Sequence, residues 1–194
     1  MTLTAFLSAT LALLIAPGPT NMLMGLAGAQ SGLARVVRLI PAELVGYLAA
    51  ILPLALIGTQ VIEQAPGLSI TLKACAAVWV MILAVRLWRQ APGEGQGAPV
   101  GGVTAGTVLV TTFLNPKALI LGLVLLPAPS SAEFLPRLGL FCLSVVGVAF
   151  LWGAGGGLTR IGPAGASRLA IVRRAAALWL ALLSTILAGA VLRV

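Results

Sequence analysis

The chain of 194 residues has no histidine and no aspartate, and only 8% of its residues are charged. A soluble domain usually contains about 25% charged residues, which help to cover its water-facing surface. Here 60% of the residues are hydrophobic, so a surface of that kind cannot be built. The composition therefore excludes an ordinary soluble enzyme and a disordered chain, and it predicts a membrane protein with several spanning segments.

The missing histidine and aspartate also exclude several kinds of catalytic site. A Ser-His-Asp triad, a histidine-rich zinc site and a histidine proton relay cannot form within this chain. The cysteines, Cys75 and Cys142, lie inside apolar runs at a spacing that matches no metal motif. The remaining acids are Glu43, Glu63, Glu94 and Glu133. We therefore expect no enzyme activity, no cofactor and no metal site.

Six apolar runs are long enough to cross a bilayer, which takes about 20 residues each. They cover Thr2–Ala29, Leu39–Ile57, Leu68–Leu87, Val103–Leu126, Phe134–Gly153 and Ile171–Leu192. Backbone groups in lipid must be paired internally, so the runs are predicted to be helices or broken helices. The first run lacks the basic start of a signal peptide, so we expect it to be retained. Residues 1–194 are predicted to form a single transmembrane domain.

The basic residues are spread in ones and twos at the ends of these runs, which predicts orientation and not a nucleic-acid surface. One predicted side carries Arg35, Arg38, Arg86, Arg89, Arg160, Arg168, Arg173 and Arg174. The other side carries only Lys73, Arg137 and Arg193, and Lys117 lies within a span. Because basic residues favour the cytoplasmic side, the first group is predicted to face the cytoplasm and both termini to face outward.

The chain divides into halves of about 1–97 and 98–194, and each half contains three spans. An odd number of spans starts the second half from the opposite side, which is the pattern of an inverted repeat. Pro19 and Pro116 lie half a chain length apart, so proline breaks the first span of each half. Paired breaks of this kind indicate the binding site of a transporter.

The prolines also suggest what the breaks bind. Proline has no N–H and clashes with the carbonyl four residues back. Pro17 and Pro19 are predicted to free the carbonyls of Leu13 and Ile15. In the fourth span, Pro116 is predicted to free that of Thr112. Inside a membrane such carbonyls need a partner, and an ammonium group or a cation can provide one.

The residues after the first break suit the opposite charge. Gly18 lets the backbone turn, and Thr20 and Asn21 provide N-cap chemistry for a second half-helix over Asn21–Ala29. The N-terminus of a helix attracts an anion such as a carboxylate. A single break is therefore predicted to receive both ends of an amino-acid zwitterion.

Three polar residues within the spans each allow two interpretations. An ammonium group inside a span costs about 3 kcal/mol, so Lys117 is expected to have a function unless it extends to the membrane surface. Asn115 either binds ligand or caps the helix at Pro116. Glu43 is a candidate proton-coupling residue, since a buried carboxyl group can bind and release a proton; the alternative is an ion pair with Arg35 or Arg38.

Two motifs resemble those of the LysE-type amino-acid exporter family. Ala16-Pro-Gly-Pro-Thr-Asn-Met-Leu23, followed by Gly28-Ala-Gln-Ser-Gly32, is similar to that family's first-span signature. Phe113-Leu-Asn-Pro-Lys-Ala-Leu119 is similar to its fourth-span motif. The resemblance implies a proton-driven exporter of amino acids or related metabolites in a bacterial inner membrane. It assigns substrate binding to Pro17, Gly18, Pro19, Asn21, Asn115, Pro116 and Lys117.

A small channel or a structural subunit of a membrane complex is the alternative function. A pore predicts a polar stripe along one span, and no span shows such a stripe. The expected partners of a carrier are its small-molecule substrate and the lipid bilayer, without nucleic acid. Whether the protein forms a homo-oligomer stays open at this point.

Overall fold

The computed structural model describes residues 1–64, 66–89, 102–158 and 165–192. Every regular element within these residues is a helix. The elements are α1 (Leu3–Ile15), α2 (Pro19–Ser31), α3 (Leu33–Gln64), α4 (Pro66–Arg89), α5 (Ala105–Phe113), α6 (Pro116–Ile120), a π-helical segment (Leu121–Leu125), α7 (Phe134–Leu158) and α8 (Gly165–Leu192). The predicted all-α class is confirmed. Glu94, Arg160 and Arg193 lie outside the described residues.

The predicted apolar runs coincide with these helices, one run to each long helix or broken set of helices. Among the described residues, Leu33–Leu56 of α3 and Phe134–Leu158 are long and apolar enough to cross a membrane. Helices α1 and α2 meet at 62° and provide a third crossing if they are counted as one broken span. Helix α7 reaches Leu158, beyond its predicted end, so part of the Gly-rich stretch after the fifth run is helical.

Local chemistry accounts for several helix ends. Thr2 caps α1 by accepting a hydrogen bond from the backbone N–H of Ala5, and Thr104 caps α5 in the same way through Thr107. Helix α2 ends at Gly32, whose φ of 77° is strained for residues with a side chain. These caps fix where the broken helices begin and end.

Glycines bring the backbones of α2 and α7 into direct contact. A β-carbon on Gly156 would lie 1.8 Å from the carbonyl oxygen of Gly25, and one on Gly28 would lie 2.0 Å from that of Gly153. No side chain fits in either place. The two helices can therefore approach only where both backbones lack a side chain, as small residues allow in membrane helices.

Two clusters of buried apolar residues lie on either side of the broken helices. The first joins α2, α3, α4 and α8, through residues such as Leu26, Leu83 and Leu180. The second joins α1, α3, the π-helical segment and α7, where the rings of Tyr47 and Phe141 meet edge to face at 5.4 Å. Helix α3 contributes to both clusters and so links the two parts of the bundle.

Helices of each half of the chain pack against helices of the other half. Helices α1 and α2 of the first half pack against α7, while α5, α6 and the π-helical segment of the second half pack against α3. The third long helices of the halves, α4 and α8, pack against each other. This arrangement places α2 in the interior of the bundle, whereas much of α1 is exposed.

Candidate functional site

The two helix breaks lie against each other in the interior of the bundle. The first separates α1 from α2 at residues 16–18, and the second separates α5 from α6 at residues 114–115. The hydroxyl groups of Thr20 and Thr112 lie 3.1 Å apart across the breaks. The side-chain amide of Asn115 also donates to the Thr20 hydroxyl at 3.2 Å. Residues that the sequence placed half a chain apart therefore come together in one cluster.

Lys117 points its ammonium group into this cluster and not toward the membrane surface. Its side chain is only 8% exposed, and Nζ donates to the carbonyl oxygens of Ala16 at 2.5 Å and Leu14 at 3.2 Å. The interpretation in which Lys117 extends to the surface is therefore wrong. A buried ammonium group with two backbone acceptors is a fixed positive charge at the first break.

Asn21 binds the same two carbonyls. Its Nδ2 donates to Leu14 at 2.7 Å and to Ala16 at 2.9 Å. The predicted N-cap role of Thr20 and Asn21 is wrong, because Gly18 occupies the N-cap position and α2 already begins at Pro19. Asn21 therefore lies inside the first turn of α2 and faces back toward the end of α1.

The carbonyls engaged by these donors are not the ones that the sequence predicted. In a continuous helix, the carbonyls of Leu14 and Ala16 would accept from Gly18 and Thr20, four residues further on. Because α1 ends at Ile15, those donors belong to the break and to the next helix, and side chains replace them. The sequence rule considered only the missing proline N–H and so selected Leu13 and Ile15.

At the second break, the backbone is satisfied locally. The carbonyl of Thr112, the one that Pro116 was predicted to free, accepts from the backbone N–H of Asn115 at 3.1 Å. The Asn115 Oδ1 atom accepts from the backbone N–H of Lys117 at 3.1 Å and so caps α6. The capping interpretation of Asn115 is confirmed, and the same side chain still reaches Thr20 through its amide.

Threonine hydroxyl groups extend this network as a chain in which each group donates a hydrogen bond to the next. Thr112 donates to the carbonyl of Val108 at 2.8 Å, so its oxygen accepts from Thr20, which in turn accepts from Asn115. A neighbouring contact joins Trp79 to the hydroxyl of Thr111 at 2.9 Å. Sequence reasoning missed these links, because a threonine or a tryptophan within a helix more often serves packing or its own backbone.

Glu43 lies next to this cluster on α3, with 2% of its surface exposed. Its Oε2 atom is buried without a hydrogen-bond partner, and its carboxyl group lies close enough to Lys117 for the two groups to interact electrostatically. Arg35 instead donates to the carbonyl of Val103, and Arg38 is exposed. The alternative of an ion pair between Glu43 and either arginine is therefore wrong for the described part of the chain.

An apolar cavity of about 620 Å³ borders the first break. Ile15 and Pro17 line it at the break, and Trp152 and Trp179 line it from α7 and α8. Its volume exceeds that of a single amino-acid side chain. Ile15 and Pro17 flank Ala16 in the chain, so the cavity lies beside the first break.

Gly18 leaves the space that Lys117 occupies. A β-carbon at this position would lie 3.0 Å from Lys117 Cε and 3.1 Å from Nζ. The backbone of Gly18 is extended, so a larger residue adopts it without strain. We expect Gly18→Val to displace the lysine and to cost about 1–3 kcal/mol by overpacking, measured as a lower melting temperature in detergent.

The same substitution in a variant that lacks the lysine side chain separates this effect from other consequences of the valine. In Lys117→Ala the crowded atoms are gone, so Gly18→Val should lower the melting temperature much less there. An equal loss in both backgrounds would show that Gly18 does not act through Lys117. Gly102→Val is the control at a glycine whose β-carbon would meet nothing within 4 Å.

Four residues of the predicted site meet in the cluster, with Glu43 as an acidic neighbour: Gly18, Asn21, Asn115 and Lys117. Of the other three, Pro17 is exposed and lines the apolar cavity, while Pro19 and Pro116 begin α2 and α6. The cluster offers backbone carbonyls and amide and hydroxyl groups around one fixed positive charge, which suits a small zwitterionic ligand. Among the described residues, no three His, Cys, Asp or Glu side chains form a group that could hold a metal ion. No protein-family model, curated protein or solved structure matches the chain.

Proposed function

We propose that the chain is a secondary active exporter of amino acids or related small metabolites, of the LysE type, in the bacterial inner membrane. The observation that carries the proposal is the meeting of two helix breaks around the buried ammonium group of Lys117. An ionised side chain inside a membrane protein is costly and usually marks a transport pathway. Broken helices at corresponding places in two halves are the usual origin of such a site.

The polar cluster supplies contacts for both ends of an amino acid. The N–H groups at the start of α2 are the contacts for the carboxylate. Asn21 orients the site, because both N–H groups of its side-chain amide already donate to Leu14 and Ala16. Asn115 and the carbonyls at the end of α1 are the contacts for the amine, and Lys117 is a positive charge beside them. The side chain of the substrate extends into the apolar cavity at Ile15 and Pro17.

The transport cycle we propose is a rocking motion between two inverted repeats in a bundle of six spans. The exchanged packing of the halves supports this arrangement, because the broken helices of each half pack on the middle helix of the other. A relative rotation of the halves then opens the site first to one side of the membrane and then to the other.

Glu43 is the residue that we propose for proton coupling. Its carboxyl group is buried beside the site, lacks a hydrogen-bond partner at Oε2 and interacts with the charge of Lys117. A proton gained or lost there changes the balance of charge around the bound substrate. Proton movement is thereby linked to substrate binding.

Contacts at the ends of the bundle agree with the division of the residues between two sides, on which the proposed orientation with both termini outside is based. Arg174 lies over the ring of Trp88 at 5.9 Å, and Trp88 directly precedes Arg89, which the sequence assigns to the same side as Arg174. At the opposite side, Arg137 donates to the carbonyl of Met1 at 2.7 Å and lies over the ring of Phe6. Each contact joins residues that were assigned to the same side.

A transport assay tests the proposal directly. Extracellular amino acids are first compared between cells with and without expression of the protein, to identify the compound whose external level rises. That compound is then loaded into proteoliposomes that contain the purified protein. A carrier is expected to show uptake that accelerates when unlabelled substrate is present on the other side, whereas equal uptake with and without it indicates a channel.

A further inference from the structure

We propose that the carbonyl oxygens of Leu14 and Ala16 form a binding site for a primary ammonium group. In this conformation the side chain of Lys117 fills the site, and the ammonium group of a ligand takes its place when Lys117 moves toward Glu43. The identity of that ligand as a transported amino acid rests on the proposed function. The ammonium site itself rests on the geometry alone.

The two carbonyls are suited to a cation by their position and by their contacts. They lie at the C-terminal end of α1, where the helix dipole places negative charge. Asn21 donates to both oxygens and so keeps them side by side. The ammonium group of Lys117 bridges the same pair. A carbonyl has two lone pairs, so each oxygen can accept from the amide and from an ammonium group together.

The side chain of Lys117 fills this site in the way a ligand would, and it does not form the site itself. The lysine comes from the second half of the chain, while both carbonyls belong to the first. Its terminal atoms pass over Gly18, where the missing side chain leaves room for them. Movement of the lysine leaves the carbonyl pair and Asn21 in place, and they then present an unfilled acceptor pair.

The structure also contains a second partner for the lysine. Glu43 Oε2 is buried without a hydrogen bond, which is a costly state for a carboxyl oxygen. Helix α3, which carries Glu43, packs against α6, which carries Lys117, and the two charges interact. One ammonium group thus faces two sets of acceptors. When Lys117 pairs with Glu43, the carbonyl pair is open to the ammonium group of a ligand.

Chemical rescue of Lys117→Ala tests the ammonium site without any transport assay. The truncated side chain leaves space that ethylammonium fits, since this ion has the N–H donors of the removed group and one carbon fewer. We expect ethylammonium chloride to raise the melting temperature of this variant by about 3 °C over the same concentration of tetramethylammonium chloride, which has no N–H donor. Equal melting temperatures in the two salts would overturn the proposal.

Matched variants separate a specific site from a general salt effect. Lys117→Met retains the volume of the side chain, so neither it nor the native protein is expected to distinguish the two salts. Lys117→Arg retains a cation with N–H donors and is expected to melt close to the native protein, while Lys117→Met melts lower. This second comparison decides the question if Lys117→Ala does not fold, and equal melting of the Arg and Met variants would contradict the proposal.

A double variant shows which acceptors bind the added ion. In Lys117→Ala/Glu43→Gln, rescue by ethylammonium should persist, because the carbonyls and not the carboxylate bind it. Loss of rescue there would place the ion at Glu43 and overturn the proposal. If ethylammonium rescues the variant but no compound is exported, the ammonium site is supported and the exporter proposal is wrong. If a compound is exported but ethylammonium does not rescue the variant, the exporter proposal is supported and the ammonium site is wrong.

Discussion

Replacing Gly156 by alanine is expected to disrupt the contact between α2 and α7 and to prevent normal folding. The added β-carbon would lie 1.8 Å from the carbonyl oxygen of Gly25, and that oxygen is backbone, so it cannot rotate away. The helices must separate along the crossing, where Gly28 and Gly153 are equally close. We expect a loss of at least about 3 kcal/mol, measured as a lower yield of monodisperse protein and a lower melting temperature.

The neighbouring glycine provides the control for this substitution. A β-carbon on Gly155 would meet nothing within 4 Å, and Gly155 lies in the same turn of α7. Gly155→Ala should leave folding intact or stabilise the helix by up to about 1 kcal/mol, since alanine favours helices over glycine. If both alanine variants behaved alike, close contact of the two backbones would not be what glycine provides at this crossing.

Replacing Lys117 by methionine is expected to abolish export while the protein still inserts and folds. Methionine retains most of the volume but removes the charge and the donors to Leu14 and Ala16. A hydrogen bond to a charged group contributes about 1.5–3 kcal/mol, and each 1.4 kcal/mol corresponds to a factor of ten. We therefore expect the export rate per folded molecule to fall by about 100-fold, measured in proteoliposomes with the compound identified by the metabolite comparison.

Arg137 offers a matched control, because it is also a buried cation that donates to a backbone carbonyl. It lies at the end of the bundle, and in the described part of the chain its side chain donates to Met1 and Glu133 and not to the helix breaks. Arg137→Met should lower the melting temperature but leave the export rate of the folded protein within about twofold. Normal export by Lys117→Met would contradict the assigned site.

Much of the candidate site could be predicted because proline and charge have strong, local effects in a membrane protein. Proline removes a backbone hydrogen bond from the interior of a helix, so breaks near Pro19 and Pro116 could be predicted from the sequence. The rule is not general, because α3 continues through Pro41 and Pro53. The rarity of charge within the apolar runs selected Lys117 and Glu43 for the same reason. The meeting of the two breaks was expected from their equivalent positions in the halves.

The details of pairing could not be predicted, because they depend on contacts between distant segments. The donors to the carbonyls of Leu14 and Ala16 come from two places in the chain, and only one of them, Asn21, is local. The capping rule assigned Asn21 to the start of α2, whereas the helix starts earlier and the amide turns back. A rule that considers only neighbouring residues cannot identify a hydrogen-bond partner that folding brings from a distant segment.

The close crossing of α2 and α7 also could not be predicted from the sequence. The chain contains 23 glycines, and many pairs occur at helical spacing by chance. Only the structure separates Gly156, which touches another backbone, from Gly155, which has open space. Spacing alone therefore indicated neither the partner helix nor the glycines that matter.

The π-helical segment at Leu121–Leu125 gives α6 a means of turning about its own axis. Leu126 donates to the carbonyl of Leu121, five residues back, so this segment contains one residue more per turn than an α-helix. A shift of each hydrogen bond by one residue would restore α-helical geometry and rotate the preceding turn by about 100°. Lys117 lies in that turn, so a change of register can swing its side chain around α6 while the helix stays hydrogen-bonded.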